Sequence, residues 1–202
     1  MKKVMKFSIC MLVTMTSIAA SYANDFSSYI DDKEKAEITL TLDDVKAGQQ
    51  LLIKDVNGLI LHRETIENSG VYNNTFDLTN LPNGNYYFEH QKAYQIKIIP
   101  FNVSNGKVAF TTEKQTTIYK PVLRVKENNL LVSKLALDKE PLEVKIYYDG
   151  KYSSSGYELI HSDMISNEMN IERIYKLDNK EKGNYRIVFE SNGREYVENV
   201  KI

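Results

Sequence analysis

Hydrophobic residues recur at every second position along most of this chain, and that spacing narrows the possible folds more than any other feature. Ile38, Leu40 and Leu42 alternate with Thr39 and Thr41; Leu142, Val144, Ile146 and Tyr148 alternate with Glu143, Lys145 and Tyr147. A strand points successive side chains to opposite faces, so a period of two marks a strand with one buried face. Runs of the same character lie at residues 51–54, 59–62, 86–90, 94–99, 107–111, 122–126, 130–137, 171–177, 185–190 and 196–202. Asn57-Gly58, Asn105-Gly106, Asp149-Gly150 and Asn192-Gly193 fall between such runs, where a two-residue hairpin turn needs residues that accept positive φ. Closely spaced strands joined by turns predict all-β sandwiches and not alternating α/β units. Residues 162–170, with Met164, Ile165 and Met169, fit either a short helix or a loop.

The pattern is written twice. "LTNLPNGNYYF" at 78–88 returns as "LDNKEKGNYRI" at 177–187, and each is preceded by an alternating strand and an Asx-Gly pair. Gly58 matches Gly150 at an offset of 92 and Gly84 matches Gly183 at 99, which predicts a seven-residue insertion between them, including the segment near Met164. Two copies of this length predict two tandem immunoglobulin-like β-sandwich modules, residues 24–119 and 120–202, since such a sandwich needs about 100 residues. The polar run "TTEKQTTIYKP" at 111–121 is the expected junction. Each module needs a corner in which a Tyr at the start of a strand sends its hydroxyl back to the backbone upstream. Gly84-Asn85-Tyr86 and Gly183-Asn184-Tyr185 fit that role, with Leu78, Leu177, Phe88 and Ile187 facing the core.

Those same residues carry a resemblance. The run from "IKDVNG" at 53–58 through "FDLTNLPNGNYYFEH" at 76–90 resembles the C-terminal sorting domains of type IX secretion (Por) substrates, with a weaker second copy over 144–202. The shared features are Asp55-x-x-Gly58 and Leu81-Pro82-x-Gly84-x-Tyr86; the second copy has Lys180-Glu181-Lys182 where the first has Leu81-Pro82-Asn83. The resemblance implies a small β-sandwich, an exported setting at a Gram-negative envelope and a sorting role.

Residues 1–23 read independently as a cleaved secretory signal: Lys2, Lys3 and Lys6 precede an apolar run from 8 to 20, and Ser21-Tyr22-Ala23 supplies small residues where a signal peptidase cuts. That run is shorter than the roughly 20 residues needed to span a bilayer, so the processed chain is not expected to be an integral membrane protein. Cys10, the one cysteine, lies within the signal, and the remainder must fold without disulfides. Removal of the signal takes three lysines and no acid, leaving 23 Lys+Arg against 27 Asp+Glu. Interspersed charge with an acidic balance argues against nucleic acid as a partner.

No catalytic, cofactor-binding or metal-ligating residue is assigned. His62, His90 and His161 stand on or beside different strands without paired spacing, and no nucleophile elbow, phosphate loop or dinucleotide fingerprint occurs. Asp31-Asp32 and Asp43-Asp44 lack the spacing of a calcium loop and read as solvated loop charges. These features predict a non-enzymatic interaction module whose partner is an envelope protein or a polysaccharide. The carbohydrate alternative draws on fourteen tyrosines, with Tyr147, Tyr152 and Tyr157 close together in the second copy; the absence of Trp stands against it.

Overall fold

In the computed structural model, which describes residues 26–30, 37–150, 156–178 and 182–202, the alternation becomes burial. Along the second strand Ile38, Leu40 and Leu42 are buried while Thr39 and Thr41 face outward. Among the described residues the regular elements are strands and one 3-10 turn, Thr112–Lys114.

The first half contains β1 (Phe26–Ile30), β2 (Glu37–Val45), β3 (Gln50–Asp55), β4 (Ile60–Thr65), β5 (Gly70–Asp77), β6 (Gly84–Gln91), β7 (Gln95–Ser104), β8 (Lys107–Phe110) and β9 (Thr116–Tyr119). One sheet runs β1-β2-β5 and the other β4-β3-β6-β7-β8, with β9 also pairing β7. Between them lies a core that includes Leu40, Leu51, Ile53, Phe76, Phe88, Ile99 and Phe101. The second half contains β10 (Val122–Lys126), β11 (Asn129–Leu135), β12 (Leu142–Gly150), β13 (Glu158–Ile165), β14 (Asn170–Lys176), β15 (Gly183–Ser191) and β16 (Arg194–Lys201). Its sheets run β10-β11-β14 and β13-β12-β15-β16, the same order less β8 and β9, around a separate core with Leu130, Val144, Ile146, Ile187 and Phe189.

The corner reading holds in the first half at atomic detail. Tyr86 donates its hydroxyl to the Pro82 carbonyl at 2.8 Å, and its ring stacks on Phe101. In the second half the Tyr185 ring is buried beside Tyr148, centroids 4.9 Å apart, while residues 179–181 upstream lie outside the described residues. Leu78, Leu177, Phe88 and Ile187 are all buried. Asn105-Gly106 and Asn192-Gly193 turn their hairpins with both residues at positive φ (51° and 72°, 51° and 67°).

Within the expected junction at 111–121, β9 joins the first sheet, Ile118 opposite Ile96. Three expectations need correction. Asp149-Gly150 is not a turn; both lie in β12, with Gly150 opposite Gly183, so β12 is longer than β3. Register also relocates the insertion. Ile53 pairs with His62 and Phe88, as Ile146 pairs with His161 and Ile187, yet eight residues separate Ile53 from His62 and fourteen separate Ile146 from His161. The extra length therefore sits in the β12–β13 connection, and residues 162–170 are the end of β13, a turn and the first residue of β14. Finally, Asp43 and Asp44 are not in a loop. They lie in β2 at a register shift, where Asp44 takes φ 50°, a conformation Asp accepts more readily than most residues.

Candidate functional site

The register of each half fixes which side chains share the outer face of its larger sheet. In the first half Leu52 stands opposite Glu89, and Gln91 stands opposite Ile96. These residues point away from the core, yet Leu52, Glu89 and Ile96 are buried. Glu89, 0% exposed, receives Arg194 from the second half through two nitrogens at 2.8 and 3.2 Å, Lys54 at 2.9 Å and the Gln91 amide at 2.8 Å. Burial alone would raise the Glu89 carboxyl, but these hydrogen bonds outweigh it and hold the group at about 2. This face is occupied by the protein itself.

Among the described residues the equivalent face of the second half is more exposed: Arg186 is exposed and Val197 is 44% exposed, with Val188 buried between the rows. Tyr147 on β12 lies opposite Arg186 on β15, which lies opposite Asn199 on β16; one row along are Lys145, Val188 and Val197. Tyr157, just before β13, places its ring 4.1 Å from the Arg186 guanidinium carbon, and Arg186 Nε lies 3.4 Å from Asn199 Oδ1. Tyr147, Tyr157, Arg186, Val188, Glu195, Val197 and Asn199 line a shallow depression of about 530 Å³. At the far end Lys145 is held between Glu143 (3.1 Å) and Glu190 (2.8 Å). An aromatic pair, an apolar floor and a guanidinium on a rigid sheet can stack a ring and grip an anion.

The structure thus brings Tyr147 and Tyr157 to one face; Tyr152 lies outside the described residues, as do Asp31, Asp32 and the expected signal at 1–23. The three histidines stay apart. His62 on β4 contacts Glu64 (3.2 Å) and the Phe76 ring, and His161 on β13 packs on Tyr175. His90 is buried on β6, its Nε2 2.8 Å from Gln49 Oε1; burial and the charges of Lys92 and Lys97 push it down to about 4. Among the described residues no group of three His, Cys, Asp or Glu is arranged to hold a metal, and no helix is long and apolar enough to cross a membrane.

Sequence reasoning missed Arg186, Glu89 and Arg194. Arg186 was signalled only by its place beside Tyr185 in an alternating strand, which fixes it outward; nothing local joins Glu89 to a partner 105 residues away.

Neither a family model nor a curated protein matches the chain. Among solved structures, the BSP domain of a biofilm-associated protein is similar with a TM-score of 0.28 and 13% identity, over 84% of this chain and 27% of that one. A structure of the receptor tyrosine kinase Torso is similar with a TM-score of 0.25 and 9% identity, over 87% of this chain and 72% of that one. This chain therefore spans about a quarter of the biofilm-associated chain. Superpositions this loose carry nothing about ligands.

Proposed function

We propose that this chain is an exported, non-catalytic interaction module of the surface, periplasm or secreted fraction, and that it binds its partner through the open outer face of β13-β12-β15-β16. One observation carries the reading: two faces with the same strand order differ in fate, the first filled around Glu89 and the second, among the described residues, left more exposed with Tyr147, Tyr157 and Arg186 on it. A loosely filled, shallow surface on a rigid scaffold suits reversible recognition. Purified chain retained on cell-wall polysaccharide or envelope protein should lose that retention on Tyr147→Ala or Val197→Asp. Wild-type retention by both variants, or a measured catalytic turnover, would overturn the proposal.

The aromatic pair favours a carbohydrate over a protein partner. The sorting alternative rests on Leu81-Pro82-x-Gly84-x-Tyr86, residues that the Tyr86 corner already requires for folding. A passenger fused to residues 120–202 and delivered outside only by a strain with type IX machinery would establish it.

A further inference from the structure

Arg186 is the one group on the open face that combines fixed position with unspent donors. The Tyr157 ring supports the guanidinium at 4.1 Å, and the Asn199 carbonyl lies at 3.4 Å from Nε, while among the described residues the two terminal nitrogens have no partner. Two other arginines show what this group does in reach of a carboxylate. Arg173 forks onto Glu168 at 2.5 and 3.1 Å, and Arg194 onto Glu89 at 2.8 and 3.2 Å. Glu195 and Asp149 lie near Arg186, yet neither forms an ion pair with it.

Resting on the reading of this face as the binding surface, we propose that Arg186, supported by Tyr157 and opposite Tyr147, reads the carboxylate of an acidic polysaccharide whose sugar ring lies on Tyr147.

On this face Arg186 lies beside the row of Lys201 and Asp149, Glu195 lines the depression, and Glu143 and Glu190 hold Lys145 at the far end, so the anion contact rests on the Arg186 fork and not on an excess of positive charge. The planar guanidinium presents two parallel N–H donors that match a carboxylate. Tyrosine faces accept the C–H face of a pyranose, and Val188 and Val197 continue the apolar floor. The geometry offers a peptide no strand addition over this face. β12 and β15 are hydrogen-bonded on both sides, so a peptide laid over Tyr147 and Arg186 finds no free ladder to join. A sugar chain needs none. The depression is open along the sheet, which suits a polymer crossing it better than a small molecule needing enclosure.

The test compares retention of the purified chain on immobilised polygalacturonate, alginate and hyaluronate with retention on the same polymers after their carboxyl groups are reduced to alcohols. Reduction keeps the ring and removes the charge. Wild type should bind at least one polyuronate, bind its reduced form about tenfold or more weakly, and release with rising salt. Arg186→Met should lose about tenfold, Arg186→Lys should restore little of it because the fork is gone, and Tyr157→Ala should weaken binding through the lost support. Thermal unfolding of each variant confirms that it is folded, as expected for changes on an exposed face. Equal binding of acidic and reduced polymers, with both weakened by Tyr147→Ala, overturns the carboxylate inference and leaves the face as a neutral-sugar site. Binding unchanged in Arg186→Met, or no retention on any polyuronate, also overturns it. Retention on an envelope protein that Tyr147→Ala abolishes replaces the glycan with a protein partner.

Discussion

Position for position, the two outer faces exchange their chemistry. Pairing register sets Lys54 against Tyr147, Tyr87 against Arg186 and Glu89 against Val188. The first face holds a carboxylate and a lysine that meet an arginine from the other half; the second replaces that pair with an aromatic ring and a small aliphatic side chain, which among the described residues make no hydrogen bond or ion pair to the first half. The difference teaches that the inner faces of this scaffold are fixed by the fold, while the outer faces are free to be spent either on holding the halves together or on an external partner. Each core keeps its buried stripe because a strand has only one way to face its partner sheet. Outer positions carry no such demand.

The largest effect expected from breaking this comparison is at Arg194. Arg194→Ala leaves Glu89 buried with Lys54 as its remaining charge partner, and removing one member of a buried ion pair costs about 3 kcal/mol or more. Urea unfolding should move to a clearly lower midpoint, and a single transition in the wild type should separate into two as the halves uncouple. An unchanged midpoint would mean that Arg194 does not hold the first face, and the contrast between the faces would fail.

Next in size is Tyr86→Phe, which strands the Pro82 carbonyl and should cost about 1–3 kcal/mol in the first half. Tyr185→Phe tests the same corner in the second. If only one substitution destabilises, the halves do not share the corner that their repeated phrase advertises.

These two predictions differ in how far the sequence could have supported them. The Tyr86 corner was legible because donor and acceptor are four residues apart, so the motif contains the whole interaction. The alternating strands were legible for the same reason, each carrying its own buried face. β5 and β13 were not, since exposure on both faces of an edge strand erases the alternation, and "GVYNNTFD" and "ELIHSDMI" look polar or mixed. β9, within the expected junction, was not singled out as a strand because four residues are too few to establish a period. The Glu89–Arg194 contact was beyond reach: each residue sits at an outward strand position where a charge is ordinary, and only the placing of the two halves joins them. The Arg186 site fell between these cases, with Tyr147 and Tyr157 visible in sequence and the arginine beneath notice.

A third test uses an exchange the protein already contains. His90 occupies the place that Phe189 holds in the second half, each facing its core. Because burial first, and then Lys92 and Lys97, push His90 down to about 4, the folded state resists protonation that the unfolded chain accepts below its ordinary value near 6.5. The sign follows: the unfolded state binds more protons between those values, so stability is complete above pH 6.5 and falls as pH drops toward 4. Glu89 acts lower. Its depressed carboxyl gives stability that is present above the ordinary glutamate value and lost as pH falls from about 4.5 to about 2. His90→Phe should therefore flatten the decline between pH 6.5 and 4 and leave the lower one, read as unfolding free energy against pH. A decline that persists unchanged in the upper window would assign it to other groups.

The smallest effect on stability, and the sharpest on the comparison, is expected at Val197. Its side chain is 44% exposed on the open face, beside Val188 and away from the core, so Val197→Thr removes little buried apolar area and should shift stability by no more than about 0.5 kcal/mol. The contrasting change on the covered face is Leu52→Ala. Leu52 points outward by the same register rule but is 1% exposed, and truncating a buried leucine costs about 2–5 kcal/mol. If the faces differ as argued, the first substitution weakens retention on a ligand without moving the melting temperature, and the second lowers the melting temperature without touching retention. A Val197→Thr protein that melts early would mean that the second face is also covered in solution, by another copy of the chain. The distinction between a spent face and a free one would then be lost.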